Sequence, residues 1–202
     1  MNPAVVRIDR LSGDAVREHL DEVAALRMAV FREWPYLYDG DRQYEHEYLR
    51  AYAGSARSVF VLAVDGQRVV GAATGIPLCD DQPAFSAPFR ARGIDPAQVF
   101  YFGESVLLPE YRGCGIGHRF FDEREAHASG FGDYRWTAFC AVVRDLGDPR
   151  RPPEYRPLDA FWRRRGYAPQ EDMTVELDWK EPWHEAPETH TLRVWLRQWP
   201  RM

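Results

Sequence analysis

The chain has 202 residues, enough to bury a core in one domain, and sets 26 lysines and arginines against 31 aspartates and glutamates for a net charge of −5. That balance argues against a nucleic-acid binder, which needs a basic face, and no apolar run is long enough to span a membrane. Cys79, Cys114 and Cys140 are odd in number and lack metal-ligand spacing, so neither a disulfide framework nor a metal site is expected. No leader pattern, repeat or composition shift is visible, and the expectation is a cytoplasmic protein with a single domain over residues 1–202.

Residues 4 to 9 read as a first strand, after which Ser12 or Asp14 caps a helix carrying Val16, Leu20, Val23, Leu26 and Val30 at helical spacing. A second helix is predicted over about 41 to 53, with Tyr44, Tyr48 and Tyr52 at four-residue spacing read as packing positions. Val59 to Val64 and Arg68 to Ile76 flank Asp65-Gly66, a dipeptide suited to the turn of a twisted antiparallel hairpin. Cys79 to Gln98, with Pro83 and Pro88, reads as a long loop that serves either as an acceptor lid or as a homodimer contact. Val99 to Leu108 is a fourth strand and Tyr134 to Val143 a fifth, with a third helix between them. Asp145 to Pro157 is a rigid proline-rich loop, Leu158 to Arg165 a fourth helix closed by Gly166, and Thr174 to Trp179 pairs with Thr191 to Leu196.

The junction between the fourth strand and third helix carries the chemistry. It reads Val106-Leu107-Leu108-Pro109-Glu110-Tyr111-Arg112-Gly113-Cys114-Gly115-Ile116-Gly117-His118. Backbone N–H groups at a helix start lack intrahelical partners, the helix dipole adds positive potential, and glycine lets an anion approach them, so the run suits a diphosphate. It is not a nucleoside-triphosphatase loop, because His118 and Arg119 follow Gly117 where Lys and Ser/Thr are needed. It is not a dinucleotide fingerprint either, because His118 and Phe120 stand where the third glycine would be. What fits is Arg-x-x-Gly-x-Gly, spelled by Arg112, Gly115 and Gly117.

This pattern resembles the acyl-CoA-binding motif of the GNAT N-acetyltransferase superfamily, and the order of elements and the segment Ala160-Phe161-Trp162-Arg163-Arg164-Arg165-Gly166-Tyr167 extend the resemblance over nearly the whole chain. It implies an α/β (α+β) fold, a mixed, mostly antiparallel sheet of about seven strands splayed between the fourth and fifth and flanked by helices. It implies acetyl-CoA as acyl donor, with the pantetheine arm along Ser105, Val106 and Leu107, the pyrophosphate on Arg112, Gly113, Cys114, Gly115, Ile116, Gly117 and His118, and Trp162 at the cofactor. An unpaired N–H near Leu107 would then stabilise the thioester carbonyl. Trp162 stands where many relatives carry a tyrosine acid, and indole does not titrate usefully. Tyr155 stands where relatives often have a cofactor-contacting asparagine, and either restores a hydroxyl or is structural.

Glu104 is the carboxylate nearest the splay. Apolar surroundings from Phe102 and Val106 would suit it as a base, and the other reading is that it only bonds exposed backbone. Strand alternation sets Tyr101 on the face opposite Glu104 unless a bulge intervenes, and makes it a second acceptor-site residue. Relatives build an acceptor wall from the connection of the first two helices, which here offers Trp34, Tyr36, Tyr38 and Asp39, the other reading of the three aromatics being a cover over the core between the helices. Aromatic faces with a carboxylate suit a cationic amine, whereas Arg150, Arg151 and Arg156 suit an acidic acceptor or the cofactor's 3′-phosphate. The triplet Arg163-Arg164-Arg165 reads as a solvated helix end. The implied activity is direct acetyl-CoA-dependent acylation of a primary amine, on a small molecule or a protein. The alternative is a non-catalytic acyl-CoA-binding or interaction module.

Overall fold

A computed structural model describes residues 6–132, 134–145 and 147–199, with the side chain of Asp14 excepted. In chain order the elements are β1 (Arg7–Leu11), α1 (Leu20–Phe31), α2 (Arg42–Gly54), β2 (Val59–Asp65), β3 (Arg68–Pro77), α3 (Pro83–Ala91), β4 (Val99–Tyr101), β5 (Ser105–Leu107), α4 (Ile116–Ser129), β6 (Trp136–Val142), α5 (Asp159–Arg164), β7 (Ala168–Trp179) and β8 (Glu188–Gln198). Residues 4 and 5 of the predicted first strand lie outside the described residues, as does the proposed cap by the Asp14 side chain.

The eight strands form one sheet in the order β1-β2-β3-β4-β6-β8-β7, with β5 paired to β3. Every pairing is antiparallel except that of β4 with β6. Local chemistry sets the ends of these elements. Gly66 takes φ 61° in the β2–β3 turn, Asp41 caps α2 by accepting the Tyr44 N–H at 2.9 Å, and Gly166 at φ 85° ends α5. The sheet separates two apolar layers. Leu62, Ala72, Val106 and Val194 face α1, α2 and α3, while Val61, Ala73, Phe102 and Phe139 face α4 and α5.

Four expectations change. The segment 79–98 is not a loop, because α3 seats Phe85 and Phe89, four residues apart, in the core. Its prolines read as loop markers, but Pro83 occupies the first helical turn, where no N–H is needed. Before α1 the chain runs as a 3₁₀ stretch, Gly13–His19, and Ser12 makes no cap bond. β7 and β8 extend well beyond their predicted cores. The predicted fourth strand is broken into β4 and β5, which brings the count to eight, while the sheet is the mixed, mostly antiparallel one expected and opens where β5 parts from β6. No helix among the described residues is long and apolar enough to cross a membrane.

Candidate functional site

The break between β4 and β5 builds the site. β4 pairs with β6 from Val99↔Trp136 to Tyr101↔Ala138, and the Phe102 N–H still reaches the Ala138 carbonyl at 2.8 Å; beyond that point β5 pairs with β3 alone. Gly103 N–H donates to the Thr74 carbonyl at 3.2 Å and Thr74 N–H donates to the Glu104 carbonyl at 3.1 Å, so two residues oppose one. This is a β-bulge, and it resets the strand's alternation. Tyr101 and Glu104 therefore lie on the same face, toward α1 and α2, which corrects the opposite faces expected from simple alternation. Only glycine fits at position 103, where a Cβ would lie 2.6 Å from Thr74 Oγ1 and overlap the Tyr52 hydroxyl.

Past the bulge, the Leu108 N–H bonds the Val70 carbonyl at 3.0 Å. Antiparallel alternation then turns Val106 toward β3 and leaves the N–H and C=O groups of Ser105 and Leu107 on the open edge. The donor edge expected near Leu107 thus includes Ser105 as well. Arg112 Nε donates to the Leu107 carbonyl at 3.0 Å and its Nη2 lies 2.9 Å from Glu33, so this guanidinium ties the open strand to the α1–α2 connection instead of reaching over the glycines.

The open edge leads into Gly113 and Gly115, at φ 78° and 83°, where an added Cβ would meet only open space. Gly115 is the N-cap of α4, whose first-turn N–H groups, those of Ile116 and Gly117, have no intrahelical acceptors. The Cys114 side chain is exposed, and the His118 ring packs on Phe161 at 4.8 Å. Open space, unpaired donors and the positive end of a helix fit a diphosphate.

On the α1/α2 face a buried polar cluster surrounds Glu104. Arg27 pairs with Glu45 and, at 2.6 Å, with Glu104 Oε2, and its guanidinium stacks 4.3 Å over the Tyr48 ring. The apolar setting expected for Glu104 is only half present: Val106 lies in the same layer, but Phe102 points to the other one and an arginine takes its place. Glu104 Oε1 is buried without a hydrogen-bond partner. The Tyr48 hydroxyl lies 3.2 Å from Glu104 Oε2 and 3.0 Å from the Tyr52 hydroxyl, which donates to Asp81 Oδ2 at 3.1 Å. Burial pushes the Asp81 carboxyl up to about 6, and no cation of the described residues lies within ion-pair distance of it. Burial also raises the phenols of Tyr48, Tyr52 and Tyr101, and pushes the Cys140 thiol beside Tyr101 up to about 12, so all stay neutral donors.

Of the predicted acceptor residues, Tyr36, Tyr38 and Tyr101 gather near this cluster. Burial and the Cys140 thiol raise the Tyr36 phenol, burial and Glu45 raise that of Tyr38, and Arg144 and Trp179 both donate to the Tyr36 carbonyl, at 2.7 and 3.1 Å. Trp34 meets Tyr155 edge-on at 6.2 Å, and burial raises the Tyr155 phenol. Asp39 is tied up, held low by Lys180 at 2.8 Å and Arg32 at 2.7 Å. The proline-rich loop offers less free charge than its sequence suggested, since Arg150 is held by Asp148 and the buried Glu181, and Arg156 bonds backbone carbonyls. Arg165 is no solvated helix end: it is mostly buried and paired with Asp122 and Glu125.

Sequence reasoning missed Arg27, Asp81 and the polar role of Tyr48 and Tyr52. An arginine inside the otherwise apolar run Val23 to Val30 was the available signal, since a charge on a core-facing helix stripe must find a buried partner. Trp162 packs between Phe139 at 5.1 Å and Trp195 at 4.9 Å in the α4/α5 layer. Trp162→Phe is expected to keep most of the turnover, whereas Trp162→Ala should lose roughly 3–5 kcal/mol of stability in denaturant titration. A large loss of turnover in a stable Trp162→Phe would return the indole to the chemistry.

The structure thus presents a sheet opened at a bulge, with an unpaired strand edge running into a glycine cradle at a helix N-terminus. The Acetyltransferase (GNAT) family model matches residues 23–146, and the chain belongs to that family. The GNAT-family acetyltransferase from Streptococcus pneumoniae is similar in structure, with TM-score 0.57 and 12% identity over 96% of this chain and 99% of that one. So are the ribosomal-protein-alanine N-acetyltransferase from Brucella melitensis, at TM-score 0.57 and 15% identity over 96% and 99%, and the loading GNATL domain of CurA from Lyngbya majuscula, at 0.58 and 14% over 94% and 96%. At these identities the likeness concerns the fold. No curated protein matches the chain in sequence.

Proposed function

We propose that this chain, as one catalytic domain, transfers an acetyl group from acetyl-CoA directly to a primary amine. The observation that carries the reading is the continuity of the open Ser105–Leu107 edge with the Gly113–Gly117 cradle, next to a bulge that carries a buried carboxylate. Acetyl-CoA would supply an activated thioester. Ile116 and Gly117 would hold its diphosphate through backbone N–H groups, and Ser105 and Leu107 would donate to the carbonyl oxygen as it gains charge.

The amine must lose a proton. Glu104 stands at the strand opening, but Arg27 holds it, and the hydroxyls of Tyr48 and Tyr52 lead from it to Asp81. In this reading Glu104 receives the proton, Tyr48 takes it while passing its own to Tyr52, and Tyr52 passes its own to Asp81, a carboxylate that burial keeps more basic than usual. Tyr155, kept protonated by burial, is the donor for the departing thiolate. Tyr36 and Tyr101 line the acceptor side, with Trp34 and Tyr38 further out.

The acceptor is an amine of a small molecule or a protein. Thiol release from acetyl-CoA across a panel of amines, with mass spectrometry of the products, is expected to give one acetylated amine per thiol released. Tight coenzyme A binding without turnover of any amine would support the non-catalytic module instead.

A further inference from the structure

Arg124, on α4, is among the most deeply buried side chains of the molecule, at 1% exposure. Its guanidinium lies between the rings of Phe102 and Phe121, at 4.2 and 4.8 Å, and pairs with no carboxylate of the described residues. Its donors go to the bulge. Nη1 donates to the carbonyls of Thr74 at 3.2 Å and Glu104 at 3.0 Å, Nη2 donates to Ser105 Oγ at 2.9 Å, and Nε bonds the Phe120 carbonyl in its own helix.

Stability alone does not call for a cation here. A buried, unpaired charge is costly, and an apolar side chain of similar length would fill the space at less cost. Without Arg124 the Thr74 carbonyl keeps the Gly103 N–H and the Glu104 carbonyl keeps the Thr74 N–H, so no backbone acceptor is stranded. What the cation does change is the peptide between Glu104 and Ser105. Its carbonyl receives both the guanidinium and the Thr74 N–H, while its N–H points the opposite way, onto the open edge. Donation to a peptide carbonyl polarises the group and strengthens its N–H as a donor, and a charged donor does so more.

We propose that Arg124 is a positioning residue that sets the bulge and polarises the Glu104–Ser105 peptide, making the Ser105 N–H the stronger donor of the open strand edge. This rests on the reading that the edge receives the thioester carbonyl, and it links the helix that holds the diphosphate to the strand that holds the reacting group. Leu107 is the internal control, because the carbonyl of its peptide, that of Val106, faces β3 and receives no cation.

The first measurement needs no substrate. In the wild-type protein, amide hydrogen exchange by NMR, corrected for intrinsic side-chain effects, is expected to be about tenfold faster under base catalysis at Ser105 than at Leu107, the effect of one pKa unit on the amide. Equal rates would overturn the proposal whether or not an acceptor amine is known. Arg124→Met should then equalise the two rates and melt no lower than wild type. Its coenzyme A affinity by calorimetry should stay within about threefold of wild type and its kcat should fall by about tenfold or more, less than the loss of a whole oxyanion donor. A merely structural role predicts the reverse, a lower melting temperature with kcat preserved in the folded fraction. If Arg124→Met does not fold, Arg124→Lys, which keeps a charge but cannot span both carbonyls and Ser105, should show an intermediate kcat loss at unchanged coenzyme A affinity. Wild-type kcat and exchange in Arg124→Lys would also overturn it.

Discussion

In Gly117→Asp, coenzyme A affinity is expected to fall by at least about a hundredfold, some 3 kcal/mol, while the melting temperature stays near that of the wild type. Gly117 has ordinary helical backbone, and the nearest atom to an added Cβ is Phe161 Cζ at 3.8 Å, so a side chain fits without strain. A carboxylate in the first turn even favours the helix by a few tenths of a kcal/mol. The same carboxylate would sit where the proposed diphosphate site needs bare N–H groups, and would repel the ligand. Gly115→Asp should abolish binding too, but at φ 83° any side chain there adds backbone strain of about 1–2 kcal/mol and clouds the reading. Calorimetry with coenzyme A on the folded Gly117→Asp protein decides the matter, and unchanged affinity would remove the loop from the binding site.

The same loop explains what was legible in the sequence. Its glycines, the Asp65-Gly66 turn and the Gly166 helix stop are local devices whose residue types fix their geometry, and each stands where it was expected. The Ser105–Leu107 edge was legible only in part, since the expectation of an unpaired N–H near Leu107 needed the splay but not the register. The bulge was not legible. It depends on Gly103 yielding space to the Tyr52 hydroxyl, a contact across fifty-one positions of sequence that periodicity cannot encode. Glu104 was found by its position but misjudged in its setting, because its partner Arg27 comes from α1 and hydropathy counts arginine as surface. Asp81 was lost in a segment read as loop, though the turn that holds it is fixed by α3 packing Phe85 and Phe89 behind it. Long-range polar pairs built the cluster around Glu104, and local pattern built the glycine cradle.

Replacing Asp81 should affect turnover and stability in opposite directions. Asp81→Asn removes the end of the hydroxyl chain, and turnover is expected to fall by about a hundredfold, the lower range for losing a proton acceptor. Tyr52→Phe, which breaks the chain one step earlier, should show a loss of similar size. In the wild type the acidic limb of kcat should fall near the Asp81 value of about 6, because the protonated carboxyl can no longer receive a proton. That limb should be missing in Asp81→Asn. The stability sign follows from the same shift. Burial raises the folded pKa above the unfolded value of 3.8, so the folded state retains this proton over an interval in which the unfolded chain has lost it, and the group's stabilising contribution is full below about 4 and gone above about 6. Asn carries no charge to desolvate, and Asp81→Asn should therefore be more stable than wild type at pH 7–8, by an amount on the order of 1–3 kcal/mol, with the difference vanishing below about pH 4. Glu104→Gln should also lose turnover, but it should be less stable, since Arg27 loses one of its two buried carboxylates. Denaturant titrations and pH–rate profiles of the three proteins separate the roles. Wild-type turnover and an unmoved acidic limb in Asp81→Asn would take Asp81 out of the proton path and leave Glu104 as its end.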